Sequence, residues 1–237
     1  MIDTTKIDKE RAVLAVAMPL LKELYGELCA DPVQTDRPDA ALVLANDHRV
    51  AVEITSLDRA DDKQYWNDKT HGTALIDAQF TRMVSGDPLI DQPIKSMKVY
   101  LTRDYLAGQA LPKAAKHDAY MAAGIYVESV LITTSDYITA RHEGFEDYYI
   151  PMAGHLFHDA AFPFNKVIFA CKKTSKALLV YDKSATPPPK PSEALFPNQH
   201  EEVSRVMGAI GQTMHLFGAP LIPKEKRKSR SKKNRKN

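Results

Sequence analysis

The most constraining stretch of the chain runs from Arg37 to Thr55. It reads Arg37-Pro38-Asp39, an apolar run Ala40-Ala41-Leu42-Val43-Leu44-Ala45, a break at Asn46-Asp47-His48, and a second run Arg49-Val50-Ala51-Val52-Glu53-Ile54-Thr55. Asn-Asp between two short apolar runs marks a β-hairpin. Side chains alternate between the faces of a strand. Ala40, Leu42 and Leu44 therefore share one face with Val50, Val52 and Ile54, while Asp39, Ala41, Val43, Glu53 and Thr55 lie opposite. Register must match large apolar residues to each other, because a slip of one residue turns a whole set to solvent. A three-residue loop closed by Ala45 and Arg49 satisfies this, and sets Ala41 across from Glu53 and Asp39 across from Thr55. Two carboxylates and a hydroxyl then gather at one end of an alanine-lined face, a donor set suited to a hard divalent cation.

Pro-Asp, a hairpin, then Glu-x-Thr with apolar neighbours resembles the core of the PD-(D/E)xK nuclease superfamily, closely over residues 8–60 and beyond them by order of elements. The resemblance implies an α/β fold with a mixed central β-sheet flanked by helices, a restriction-endonuclease-like core. It implies that Asp39 and Glu53 hold Mg²⁺ or Mn²⁺, and that Thr55 stands where the family usually carries lysine. Such an ion activates water and clamps the attacking and leaving oxygens of a phosphodiester. Thr55 offers only a hydroxyl, so positive charge for the transition state must come from elsewhere. In the family a helix after the Glu strand lends a lysine, glutamine or arginine. Gln79 and Arg82 are the candidates here, with Lys63 and Lys69 behind them. The family often adds a glutamate from the first helix, a role open to Glu23 or Glu27, one turn apart.

Composition narrows the field. With 237 residues, 44% hydrophobic and 26% charged, the chain has the make-up of a soluble globular protein with one full core. No apolar run approaches the roughly 18 residues that span a bilayer. Asp3, Lys6, Asp8 and Glu10 are foreign to a signal peptide. Cys29 and Cys171, two in all, fit a reduced cytoplasmic protein without a disulfide framework or zinc cluster. A chain with ten glycines and no Gly-rich phosphate loop argues against a nucleotide triphosphatase. The lack of a Gly-x-Ser-x-Gly elbow argues against a serine hydrolase. Residues 224–237 carry nine Lys or Arg and one Glu, a charge of +8. Since the whole chain is +2, the body is 2 − 8 = −6.

Helical spacing of Val13, Val16, Leu20, Leu21, Leu24 and Leu28 predicts a helix over 7–28, kinked or bounded at Pro19. Residues 56–69 read as a polar loop over the site mouth, with Trp66 either a packing anchor or a base-stacking surface. Residues 73–84 read as a helix burying Ile76, Phe80, Met83 and Val84. Strands are expected at 97–101 and 128–134, with a helix at 112–124 between them, and a hairpin at 166–170 and 177–181. Residues 141–154 read as an aromatic, acidic loop. His155 and His158 would share a helix face and suit a transition metal, though no third ligand is evident. Four prolines within 186–191 make a stiff linker before a last helix at about 200–217. Residues 1–223 thus form one domain, followed by a disordered basic tail at 224–237.

These features lead to a metal-dependent nuclease acting on nucleic acid, DNA favoured over RNA, in a defence or mobile-element setting that the resemblance alone implies. Lys63, Lys69 and Arg82, with Lys226, Arg227, Lys228, Arg230, Lys232 and Lys233 of the tail, are the candidate phosphate contacts. No membrane partner is expected. A homodimer is one way for a protein with a single active site to cut both strands of a duplex. The rival expectation is a non-catalytic nucleic-acid-binding or protein-interaction module that retains the nuclease-like fold, as the missing lysine and acidic body suggest.

Overall fold

The computed structural model describes residues 4–34, 36–68, 70–89, 95–207 and 213–217. The hairpin forms as β2 (Ala40–Leu44) and β3 (Arg49–Ser56). It is the seed of a six-stranded mixed sheet of order β1-β2-β3-β5-β6-β7. Its other strands are β1 (Leu28–Ala30), β5 (Tyr126–Thr134), β6 (Lys166–Cys171) and β7 (Lys176–Asp182). β3, β5 and β6 run parallel, and the remaining pairs are antiparallel.

Both faces of the sheet are covered, which is why β6 is apolar from Val167 to Cys171 and β5 carries Val130-Leu131-Ile132 in succession. On one face lies α1 (Thr4–Tyr25), continuous through Pro19. It buries Val13, Leu14, Ala17 and Leu21 against Leu42, Val50, Val52, Val130, Ile132 and Ile168. The other face carries α5 (Ala114–Ala122) near the hairpin and, further along, α6 (Ile150–Asp159) with the short α4 (Tyr105–Gly108) packed on it.

Several expectations are corrected. Of the loop expected at 141–154 only residues 141–144 are irregular; the rest is a π-helical turn, Phe145–Tyr149, running into α6. Phe145, Tyr148 and Tyr149 are buried in the main core, so the aromatics read as a surface excursion are its ballast. Residues 60–67 form a helix, α2 (Ala60–Asn67), and Trp66 is buried edge-on to Tyr137. That burial makes it a packing anchor. The buried amine of Lys95 caps the end of α2, donating to the Trp66 and Asp68 carbonyls at 3.3 and 2.7 Å.

The helix expected at 200–217 is absent: β8 (His200–Met207) and β9 (Thr213–Phe217) join β4 (Lys95–Tyr100) in a separate antiparallel sheet of order β4-β8-β9. Period-two burial decides this, because Glu201 and Val203 point inward while their neighbours are more exposed. Gly208 and Gly211, poor helix formers, interrupt the apparent helical stripe.

The helix at 73–84 does form, as α3 (Thr70–Ser85), but the apolar stripe expected to be buried is exposed among the described residues. Ile76, Phe80, Met83 and Val84 are 37, 57, 44 and 70% exposed, and Gln79 is the buried one. Among the described residues no helix is long and apolar enough to cross a membrane. Residues 186–191 have no regular element, as expected of the proline segment, although Pro188 lies against Gly154 of α6. The tail at 224–237 lies outside the described residues.

A carboxylate–lysine cluster as candidate active site

The hairpin turns one residue earlier than expected. The Leu44 N–H donates to the His48 carbonyl at 2.9 Å, enclosing Ala45, Asn46 and Asp47, with Asp47 in the left-handed region at φ 62°. Ala40 therefore faces Val52 and Leu42 faces Val50. Large residues still meet large ones, so the pattern alone could not distinguish the two frames. Continuing the ladder by one residue sets Asp39 beside Glu53, not beside Thr55. The two acids are closer partners than the sequence indicated.

Asp39 is fixed by its own backbone neighbour. Its Oδ2 accepts the Ile54 N–H at 2.8 Å, and its Oδ1 lies 3.8 Å from the Lys6 amine of α1. Burial and, more weakly, the charge of Glu53 push its carboxyl above the usual range, against the Ile54 hydrogen bond. Glu10 of α1 shares this field: burial first, then Asp39 and Glu53, raise its carboxyl, while Lys6 at 3.3 Å opposes them. Three acids from three segments thus sense one another.

Glu53 is buried at 1% exposure, yet it is held charged. Its Oε1 meets the amines of Lys116 at 2.5 Å and Lys113 at 3.3 Å, and its Oε2 accepts the Tyr120 hydroxyl at 2.6 Å. Burial pushes its carboxyl up, but the Lys116 and Tyr120 hydrogen bonds and the two ammonium charges outweigh it, so the net shift is downward. The Tyr120 phenol is raised, by burial and then by Glu53. Lys113 ends a single 3₁₀ turn, Leu111–Lys113, that leads into α5, which carries Lys116 and Tyr120. The spacing of 113, 116 and 120 lays all three on one helix face. Around Glu53, Tyr120 of that face packs with Ala41, Ala51 and Tyr126 of the sheet, small enough at the alanines for the helix to approach closely.

The positive charge beside Glu53 comes from the Leu111–Lys113 turn and α5, not from α3. Arg82 of α3 donates to the Pro88 carbonyl at 3.2 Å, and Gln79 is buried on a helix that makes none of the extensive sheet contact of α1 or α5. Thr55 lies on the Glu53 face, opposite Thr133 of β5. Glu23 and Glu27 are exposed, and Glu23 lies thirteen residues, or roughly 20 Å of helix, beyond Glu10. Lys63 lines a cleft beside the cluster. Lys69 and the tail residues Lys226, Arg227, Lys228, Arg230, Lys232 and Lys233 lie outside the described residues. His158 packs against Tyr181 at 4.8 Å between ring centres, and forms no metal-holding group with His155.

The rim is built from the ends of the parallel strands, the edge at which open α/β sheets bind ligands. Asp58, just past β3, accepts the Asp136 N–H at 2.8 Å, the Ser56 hydroxyl at 3.1 Å and the Ser135 hydroxyl. It ties the loop leaving β3 to the loop leaving β5.

Ionised Asp39 opposes folding. Its folded pKa lies above the usual 3.8, so a stability cost is present above that range and is relieved as pH falls through the folded value. Asp39→Asn, which keeps an acceptor for Ile54, is expected to stabilise the protein by about 1 kcal/mol at pH 8. The gain should shrink toward pH 4, as read by urea denaturation at both.

Oxygen donors of this kind suit Mg²⁺ or Mn²⁺, which commonly take one or two carboxylates and complete their shell with water and substrate oxygens. Among the described residues no three Asp, Glu, His or Cys side chains gather into a metal-holding group, so Asp39 and Glu53 would carry that role together with such oxygens. In a search of family models, of curated proteins and of solved structures, none matched this chain.

Proposed function

We propose that the chain is a metal-dependent phosphodiesterase acting on nucleic acid, DNA in preference to RNA, with a restriction-endonuclease-like core. The observation that carries the reading is buried Glu53 with the Lys113 and Lys116 amines on it, and half-buried Asp39 one step beyond the Ala40–Val52 pairing. A divalent cation bound by Asp39 and Glu53 would supply an activated water and charge for the leaving oxygen. Lys116, the more exposed of the two lysines at 46%, is the group able to leave Glu53 for a substrate phosphate. Lys113 stays behind to keep Glu53 ionised. Thr55, on the same face, offers a hydroxyl to orient water or phosphate.

A second reading has an observation of its own. Both oxygens of Glu53 are already engaged, which suits a non-catalytic nucleic-acid-binding or protein-interaction module that uses the cluster as a structural ion pair. Labelled single- and double-stranded DNA and RNA, incubated with Mg²⁺ or Mn²⁺, separate the two. Cleavage that requires the metal and disappears in Asp39→Ala supports the phosphodiesterase. No cleavage of any substrate under these conditions overturns it in favour of the module.

A further inference from the structure

A trough of about 680 Å³ opens beside the acid cluster, between α1, α2 and the β6–β7 turn, over the ends of β3 and β5. Four lysines from three separate elements face it: Lys6 and Lys9 of α1, Lys63 of α2, and Lys172 of the turn. Its acids are Glu10 and Asp136, so its ionised side chains sum to 4 − 2 = +2. The body of the chain, residues 1–223, is −6. Positive charge is therefore concentrated here against the trend of the surface. Lys172 is held over the rim by Asp136 at 2.6 Å, and Lys6 bridges to Glu10 and Asp39. Lys9 and Lys63 have no ion pair among the described residues. On the floor, Ser56 and Thr134 sit opposite each other at the ends of their parallel strands.

We propose that this trough is the track along which the phosphodiester backbone of a nucleic-acid strand is led to Asp39 and Glu53. The inference rests on the reading of those acids as a phosphodiester-cleaving site, and adds to it a folded binding surface distinct from the basic tail. Spaced ammonium groups of this kind suit successive phosphates, since each lysine is a point charge without the planar fork that favours one carboxylate or one base edge. Glu10, shared by the trough and the cluster, marks where the strand would pass from one to the other.

The test is fluorescence anisotropy of a labelled mixed-sequence DNA duplex in EDTA, titrated with the full-length chain from 50 to 300 mM salt. Wild type is compared with Lys9→Gln/Lys63→Gln/Lys172→Gln and with a control, Lys22→Gln/Lys183→Gln, each checked for unchanged circular dichroism. Each phosphate contact contributes about 0.9 to the log–log salt slope, so the triple variant is expected to lose about 2 to 3 units of slope and at least tenfold in affinity. The control should keep both. A wild-type slope in the triple variant overturns the proposal, as does displacement of a labelled poly-glutamate peptide, but not of DNA, by the trough lysines' removal. The readings separate. Weakened binding with no metal-dependent cleavage by wild type keeps the track and removes the phosphodiesterase; undiminished binding with cleavage does the reverse.

Discussion

Glu53→Ala is expected to lower metal-dependent cleavage by about a thousandfold, the upper end for removal of one group that acts on transition-state charge. The same substitution should alter the pH dependence of stability. In the folded protein two amines and the Tyr120 hydroxyl hold the Glu53 carboxyl below its usual 4.5. A lowered carboxyl contributes stability above the unfolded value, and that contribution is lost as pH falls through the folded one. Lys113 and Lys116, 27 and 46% exposed, turn to solvent when Glu53 is gone, so no buried ammonium is stranded. The buried Tyr120 hydroxyl does lose its acceptor, a cost of about 1–2 kcal/mol. Wild type should therefore exceed the variant by more than that amount at pH 7, and the excess over it should shrink progressively below pH 4.5. Urea denaturation at pH 7 and pH 4 reads the margin. A margin constant with pH would mean that Glu53 is not held as a carboxylate.

Phe169→Ala should be the most damaging substitution for stability among the core aromatics of the central sheet. Phe169 is fully buried at the middle of β6, paired with Thr133 of β5 and Leu178 of β7, with its ring 5.0 Å from that of Phe145. Truncating a buried phenylalanine costs about 3–5 kcal/mol in lost transfer energy and cavity. In a chain of this size that corresponds to a fall in Tm of about 10 °C. Phe80→Ala on α3, where the ring is 57% exposed, should change Tm by no more than about 2 °C. Calorimetry on the two proteins compares them directly; equal losses would mean that α3 is covered in solution.

The contrast between these phenylalanines shows what the sequence could and could not convey. Helical spacing at Ile76, Phe80 and Val84 correctly signals a helix, but periodicity says which residues share a face and nothing about whether a neighbour covers it. The strands β5, β6 and β7 were legible because their faces are both covered, or alternate, in runs bounded by turn residues. Asp39 and Glu53 were legible as a pair because the pleat puts both on one face, whichever frame the turn selects. Lys113 and Lys116 were missed for a different reason. They lie about sixty residues after Glu53 on a helix whose lysines look like an ordinary solvated edge, and only their spacing with Tyr120 hinted at a common target. Glu10 was visible as an acid on the first helix. Nothing local distinguished it from Glu23 and Glu27, since the choice depends on which end of α1 lies over the hairpin. At 200–217 the apolar residues fit a helical stripe, and the partner strand that overrides it, β4, lies a hundred residues away.

The parallel pairing of β3 with β5 also sets a timetable for the nascent chain. β3 emerges from the ribosome with β2 on one edge and nothing on the other, and roughly 70 residues must follow before β5 arrives to occupy it. At 5–20 residues per second the bare edge persists for between about 4 and 14 s. The same interval delivers α3 with its uncovered apolar side chains, while Lys113 and Lys116 come only at its close. A chain translated as far as about residue 110 thus carries an open strand edge, two acids without the counter-charges of Lys113 and Lys116, and an oily helix together. That is the stage at which a ribosome-associated holdase has most to grip.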